Sequence, residues 1–307
     1  MKIFKNRGDI YISKSKGIKS AEERVLLIIL AIIVILTIAF VVMLSQKYSS
    51  VAEFFVGEDV SVSDMAVDDM ESLPQISGKS NYLLIETDDE NTTVHYVMLI
   101  QADGDNKAYK VCTLSPNTKI DGTTIEKIYE QGAGASLQTR LTEFFGFEID
   151  YYIQFNNNKF IDFTDKLGTF IYPSSQAVEY SGGKGDDTYT VRIKEGEQNL
   201  DGKDLTNIIR YYVNEKKNFQ IPNEIMLYAL TNYVSEKNLE NSEELFRIFI
   251  SDCSTNITVK NFADSTDALT VFCKSSQGIT VYSANAKYDA LELTPQSVQE
   301  IKGYFNK

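Results

Sequence analysis

The sequence predicts a single α/β domain, a mixed central sheet flanked by helices, standing outside the cell behind one N-terminal transmembrane helix. Three observations lead there. One long uncharged apolar run lies near the N-terminus, the two sides of that run carry opposite net charge, and from about residue 80 onward short apolar runs of strand length alternate with segments of helical period.

The apolar run reads VLLIILAIIVILTIAFVVML from Val25 to Leu44, with Thr37 its only polar side chain and neither charge nor proline. About 20 such residues cross a hydrocarbon core as a helix. Core helices of globular domains are usually shorter and amphipathic. A cleaved signal peptide carries about 7 to 15 apolar residues before small residues at its cleavage site. Here Ser-Gln-Lys-Tyr follows, and the run reads as an uncleaved anchor. The expected organisation is a cytoplasmic segment at 1–24, a transmembrane helix at 25–46, an acidic stalk at 47–80 with a short helix near Val51 to Val56, and a folded domain at 81–307.

Charge sets the orientation. Residues 1–24 hold Lys2, Lys5, Arg7, Lys14, Lys16, Lys19 and Arg24 against Asp9, Glu22 and Glu23, net +4. By the positive-inside rule this segment stays in the cytoplasm and the C-terminal domain lies outside, anchored in the cell membrane by a single pass. The whole chain is −13, so the part beyond the helix carries −17, the difference between −13 and +4. Such an acidic domain does not suit nucleic acid, whose phosphates require a basic face.

The elements follow in order. NYLLIET and HYVMLIQAD read as strands, and NKAYKVCTLSP as a third after the turn ADGDNK. A helix carrying Leu137, Leu141, Phe144 and Phe145 ends at Gly146, a residue suited to its C-terminal cap. QGAGAS before it reads as a flexible turn, since its glycines match no phosphate-loop spacing. FEIDYYIQFN is the next strand, and a helix from Asn158 to Leu167 stops at Gly168. SGGKGDD reads as a loop, TYTVRIK as a strand, GEQNLDG as a turn, and Asp204 to Val213 as a helix. A longer helix is expected from Pro222 to about Lys237; ITVKNFADSTDALTVF and GITVYSA mix strand and helix signals, and SVQEIKGYF closes the chain as a helix.

Cys112, Cys253 and Cys273 match no metal spacing and have no histidine in a context for thiol catalysis. Cys112 sits in an apolar strand and reads as a buried thiol. Cys253 and Cys273 fall on two neighbouring predicted strands, where either a bridge or two free thiols fits.

The order of segments, with FFGFEIDYYIQFNNNKFIDFTDKLG followed by KEGEQNLDGKDLTNIIRYY, resembles the LytR-CpsA-Psr family of cell-envelope proteins. The likeness covers nearly all of residues 80 to 307, and the GEQ-x-LDG turn before an apolar helix ending in arginine is its most specific part. The resemblance implies a short cytoplasmic segment, one membrane helix and an outer α/β domain. It also implies transfer of a phosphoglycopolymer, such as teichoic acid or capsule, from polyprenyl pyrophosphate to peptidoglycan. That chemistry needs arginines gripping phosphate oxygens, a divalent ion on carboxylates, and an apolar tunnel for the prenyl chain.

Residue by residue, the resemblance places Asp88 at the family's first aspartate and Arg210 at the first arginine of its arginine-x-arginine pair. The second arginine falls on Tyr212 and the second metal-binding aspartate on His95. A further arginine and aspartate fall on Pro116 and Asn117 of TLSPN. The aspartate-lysine-isoleucine-asparagine stretch becomes Thr123, Thr124, Ile125 and Glu126, and later arginines fall on Ile221 and Glu224. Arg210 therefore reads either as a residual phosphate ligand and catalytic candidate or as a structural cation. Asp88 reads either as a ligand-binding and Mg²⁺-holding carboxylate or as a strand-end turn residue. His95, the one histidine of the chain, reads as a cross-strand or surface residue, with metal ligation or base chemistry as the alternative.

Two functions follow. In one, the protein is a catalytically degenerate family member that binds a lipid-linked glycan, a wall polymer or an envelope protein partner, without a cofactor. In the other it is an active phosphotransferase, with Arg210 on the pyrophosphate and Asp88 holding Mg²⁺.

Overall fold

Val, Ile, Leu and Tyr crowd three runs after residue 79, and these runs build the centre of the fold. The structure, a computed structural model, describes residues 73–185, 187–275 and 280–306. The expected cytoplasmic segment, the transmembrane helix at 25–46 and the stalk as far as residue 72, with its short helix near Val51 to Val56, lie outside the described residues. Among the described residues no helix is long and apolar enough to cross a membrane. They belong to one compact unit spanning Glu71–Lys307.

β1 (Lys79–Thr87), β2 (Val94–Asp103) and β3 (Ala108–Leu114) form an antiparallel meander. The short strands β4 (Lys119–Ile120) and β5 (Thr123–Thr124) lead into α1 (Ile125–Phe145), which Gly146 ends in the left-handed conformation. QGAGAS lies inside α1 rather than before it, at a kink where Gly132 and Ala133 leave helical geometry. β6 (Tyr151–Asn156) joins β1 in parallel, and α2 (Asn157–Leu167) follows.

The sequence from 170 to 200 departs from its expectation. β7 (Phe170–Ser174) pairs with β10 (Gly196–Leu200), so GEQNL is a strand, and the Asp-Gly after it starts the next helix. β8 (Val178–Lys184) and β9 (Asp187–Ile193) form a hairpin, so residues 181–184 and Asp187 of SGGKGDD are strand rather than loop. α3 (Gly202–Arg210) then runs into a π-helical stretch, Tyr211–Lys216.

α4 (Gln220–Tyr233) stops short of the expected Lys237, and α5 (Glu236–Glu240) begins anew after the extended Ser235. α6 (Ser242–Asp252), β11 (Ser254–Thr255), α7 (Val259–Asp264), α8 (Thr266–Lys274), β12 (Thr280–Ser283), β13 (Tyr288–Asp289), β14 (Glu292–Leu293) and α9 (Pro295–Phe305) complete the chain. Cys253 therefore ends a helix and Cys273 lies within one. The strands expected to carry them do not form, and both stand as free thiols. Cys112 is fully buried on β3, and burial pushes its thiol up to about 12.

The main sheet has the order β11-β6-β1-β2-β3-β12, mixed as expected, with β1/β6 and β3/β12 parallel. Its two faces are both covered. Leu83, Ile85, Val97, Leu99 and Cys112 pack toward α1 and α9, where Gln101 donates to the Phe305 carbonyl at 2.7 Å and Lys110 to that of Tyr304 at 3.2 Å. The other face presents Leu84, Tyr96 and Met98 to α2, α3 and α4. There Thr113 donates to Asn223 Oδ1 of α4 from its amide (2.7 Å) and its hydroxyl (2.6 Å).

α3 is fixed at its N-terminal end. Asp201 accepts from the Asp204 amide at 2.8 Å as N-cap, and the Gly202 amide donates to Asp165 Oδ1 of α2 at 2.9 Å. A Cβ at residue 202 would collide with the Thr164 hydroxyl, so the glycine of LDG is what lets α3 start against α2. Along α3, Leu205, Ile208 and Ile209 are fully buried, and Arg210 is carried to the edge of the second sheet face.

Candidate functional site

β1 and β2 pair in register down to Glu86↔Tyr96 and resume at Thr87↔Val94, leaving His95 as the extra residue of a β-bulge. The bulge turns His95 toward the face that carries Glu86. Its ring meets a carboxylate on each nitrogen: Nδ1 lies 2.8 Å from Glu86 Oε2 and Nε2 lies 2.9 Å from Asp187 Oδ2. Far from being a surface residue, His95 is only 4% exposed.

Arg210 reaches the same carboxylate from α3. Its Nη2 donates to Asp187 Oδ1 at 2.8 Å and Oδ2 at 2.9 Å. The guanidinium carbon stands 4.3 Å from the centre of the Tyr189 ring, a cation–π geometry. The other oxygen of Glu86 accepts from Asn157 Nδ2 at 2.7 Å, and Asn214 of the π-helical stretch donates to the His95 carbonyl at 3.1 Å. Four charged groups from β1, β2, β9 and α3 thus interlock.

Burial works against the charged His95 ring, and Arg210 adds to that opposition. Attraction and hydrogen bonding from Glu86, with attraction from Asp187, outweigh both and hold the ring above its ordinary value. Burial, with Glu215 nearby, pushes the Tyr189 phenol up.

Three of the four, His95, Asp187 and Arg210, line a cleft of about 580 Å³, where Asp88, Asp89, Glu90, Glu126, Asp187 and Glu215 face Lys184 and Arg210. Six carboxylates against two permanent cations make this an acidic hollow. Asp88 and Arg210 line it together, as do Pro116 and Asn117. Asp88 is engaged in the β1–β2 turn: Oδ1 accepts from the Thr92 amide at 2.7 Å and Oδ2 from the Thr92 hydroxyl at 2.6 Å. Partial burial alone would raise the Asp88 carboxyl, but hydrogen bonds from Thr92 and Thr93 hold it below its usual value. Asp89 caps α2 through Asn158.

No three His, Cys, Asp or Glu side chains among the described residues converge as metal ligands. With both Asp88 oxygens already accepting from Thr92, these donors do not fit a resident Mg²⁺, which calls for near-octahedral oxygen geometry. Tyr212 turns away, its hydroxyl accepting from Gln176 at 3.1 Å, and Glu224 accepts from Gln220 at 2.8 Å.

A second hollow of about 350 Å³ lies toward the other end of β1, walled by Tyr82, Tyr151, Leu230, Phe249, Phe262 and Leu269 among others. It is apolar, and neither Arg210 nor Asp88 lines it. Tyr82 and Glu86 lie on the same sheet face four residues apart, about 13 Å at strand rise. Between them stand Leu84, Met98 and Tyr96, with the Tyr96 ring edge-on to Phe160 at 6.4 Å.

The sequence placed Arg210 and Asp88 at one site and missed Glu86, Asp187 and Tyr189. The available signal lay in EYSGG and TYTVRI, whose period-two alternation around a glycine-rich tip describes a hairpin rather than a loop.

With this geometry in hand, the comparisons with known proteins are direct. The sequence profile of the LytR_cpsA_psr family matches residues 64–302, and the chain belongs to that family. Among solved structures it resembles a protein of Eubacterium siraeum DSM 15702, with a TM-score of 0.63 and 18% identity over 81% of this chain and 99% of that one. It also resembles B. subtilis TagV, with a TM-score of 0.56 and 16% identity over 75% of this chain and 97% of the other. TagT bound to LI-WTA gives 0.54 and 16%, over 74% and 89%. At such identities the likeness establishes the fold. No curated protein matches the chain by sequence.

Proposed function

We propose that this chain is a membrane-anchored cell-envelope member of its family whose phosphate-handling centre has become an internal ion-pair network. In this reading it does not transfer polymer; it binds a lipid-linked glycan, a wall polymer or an envelope protein outside the cell. The observation that carries the reading is the double engagement of Asp187. Of the three cationic groups that line the cleft, Arg210 and His95 are both bonded to one internal carboxylate, which leaves Lys184 at the exposed hairpin. Phosphoryl transfer depends on positioned positive charge, and removing one such donor typically costs 10²-fold or more in rate. Here the remaining wall is acidic.

The test is direct. Full-length protein supplied with Mg²⁺ and a polyprenyl pyrophosphate-linked substrate should show no transfer or pyrophosphate hydrolysis above a heat-inactivated control. The competing reading, an active phosphotransferase, draws on the fact that Arg210 and Asp88 still line one cleft. Turnover that disappears in Arg210→Ala, at unchanged stability, establishes that competing reading instead.

A further inference from the structure

Half of the acidic wall of the cleft is already used inside the protein. Asp88 accepts from Thr92, Asp89 accepts from Asn158, and Asp187 is held by Arg210 and His95. Glu90 and Glu126 are different: among the described residues neither carboxylate has a hydrogen bond or an ion pair, and both line the cleft. Even with His95 charged, six carboxylates face three cations, and two of those cations are engaged. Glu126 shows the consequence. Burial, with Glu130 nearby, holds its carboxyl above the usual value.

A second, independent feature points to what suits the hollow. The Tyr189 hydroxyl and Arg210 Nε have no hydrogen-bond partner, although their side chains line the cleft and are only 8% and 3% exposed. The two groups lie together, the guanidinium carbon 4.3 Å from the Tyr189 ring centre. A buried donor left unmet costs stability, so each calls for an acceptor. The occupant that answers both features carries positive charge for Glu90 and Glu126 and oxygen acceptors for Tyr189 and Arg210. A metal ion brings charge without an acceptor, and a lysine side chain brings donors only. A phosphate brings acceptors into a wall that repels it. A sugar with a free amine brings an ammonium and a ring of hydroxyls together, and about 580 Å³ lies within the range of cavities that hold organic ligands.

We propose that the cleft is a subsite for a glycan bearing unacetylated amino sugars, with its ammonium groups paired to Glu90 and Glu126 and its hydroxyl oxygens accepting from Tyr189 and Arg210. The proposal rests on the reading above that the cleft does not grip phosphate, and it names the chemistry of the wall polymer taken instead. Glu126 lies in the first turn of α1 and Glu90 in the turn between β1 and β2, so the two carboxylates enter the hollow from separate elements. That spread suits a polymer presenting amines at intervals rather than a single point charge. The His95 and Arg210 pairings with Asp187 stay intact on binding, because Nε rather than Nη2 of Arg210 is the open donor.

The test compares one sugar chain with and without its charge. In slightly acidic buffer that keeps the amines protonated, full-length protein titrated calorimetrically should bind a tetramer of β-1,4-linked glucosamine about tenfold or more tightly than the fully N-acetylated tetramer. Trilysine, which has the charge without the hydroxyls, should bind more weakly than the glucosamine tetramer. Glu126→Gln should weaken the glucosamine tetramer about fivefold and leave the acetylated one unchanged. Tyr189→Phe removes an orphan hydroxyl and keeps the ring on Arg210, so its urea midpoint should equal or exceed the parent's while the tetramer binds about threefold less tightly. Equal affinity for the free and acetylated tetramers overturns the subsite, as does trilysine binding as tightly as glucosamine or parent-like binding by either variant. The acetylation comparison uses the parent alone and stands whether or not a variant folds. None of these readouts measures transfer, so polymer turnover would defeat the functional reading, whereas a silent glucosamine titration without turnover would remove the subsite alone.

Discussion

At His95 the sequence offers a lone histidine near a strand start, and the structure gives it two acceptors from elements 9 residues before and 92 residues after it. The sign of its contribution to stability follows from the raised folded-state value. The charged ring stabilises the fold fully below the unfolded value of about 6.5, and that contribution disappears as pH rises through the higher folded value. Urea midpoints of the parent should therefore fall over a window beginning above about pH 6.5, and His95→Gln should flatten that fall. Replacing His95 by alanine leaves Glu86 buried with only Asn157, a loss of about 3–5 kcal/mol measurable by chemical denaturation. Arg210 was legible because it ends an apolar helix in a recognisable turn-helix context. Asp187 was not, because its role comes from contacts across 92 and 23 residues that no local pattern encodes.

Among elements, β1 to β3 were readable from their apolar runs alone, as was α3 from Leu205, Ile208 and Ile209. Ile209 is fully buried, and Ile209→Ala should cost about 2–5 kcal/mol in unfolding free energy. A variant as stable as the parent would show that α3 presents another face to the sheet. β10 escaped notice because GEQNL is polar and mostly exposed, and it is a strand through its register with β7 rather than through an apolar rhythm. The hairpin tip escaped because its glycines look like linker. Gly183→Ala should cost at least about 1–3 kcal/mol, because it holds a side chain at positive φ and drives its Cβ against the Asp187 carbonyl, and its signature is loss of the native amide shifts of Gly183, Thr188 and Tyr189 ahead of those of β1 and β2. The break between α4 and α5 went unseen because the residues around Val234 carry no proline or glycine to mark it.

For the whole molecule, the α/β class, the mixed sheet and the order of elements as far as α2 were legible because apolar periodicity is a local property, while the pairing of β7 with β10 and the meeting of Glu86, His95, Asp187 and Arg210 join residues far apart in the chain. The charge step from +4 before the apolar run to −17 after it makes a topological prediction. A reporter fused after Lys307 that works only when exported should be active in intact cells, and activity of a cytoplasm-dependent reporter there would remove the envelope assignment. The filled stretch of sheet between the two hollows, with Tyr96 set edge-on to Phe160, bears on how they communicate. Energetic coupling needs an element with two arrangements that both sites bias. A fully buried Tyr96 and Met98 offer one packing, so the acidic cleft and the apolar cavity should behave as thermodynamically independent compartments. A small apolar probe that fills the far cavity should perturb the resonances of Phe249 and Leu269 and leave the His95 midpoint where it was. A prenyl chain reaching from one compartment into the other would first have to displace the tyrosine that separates them.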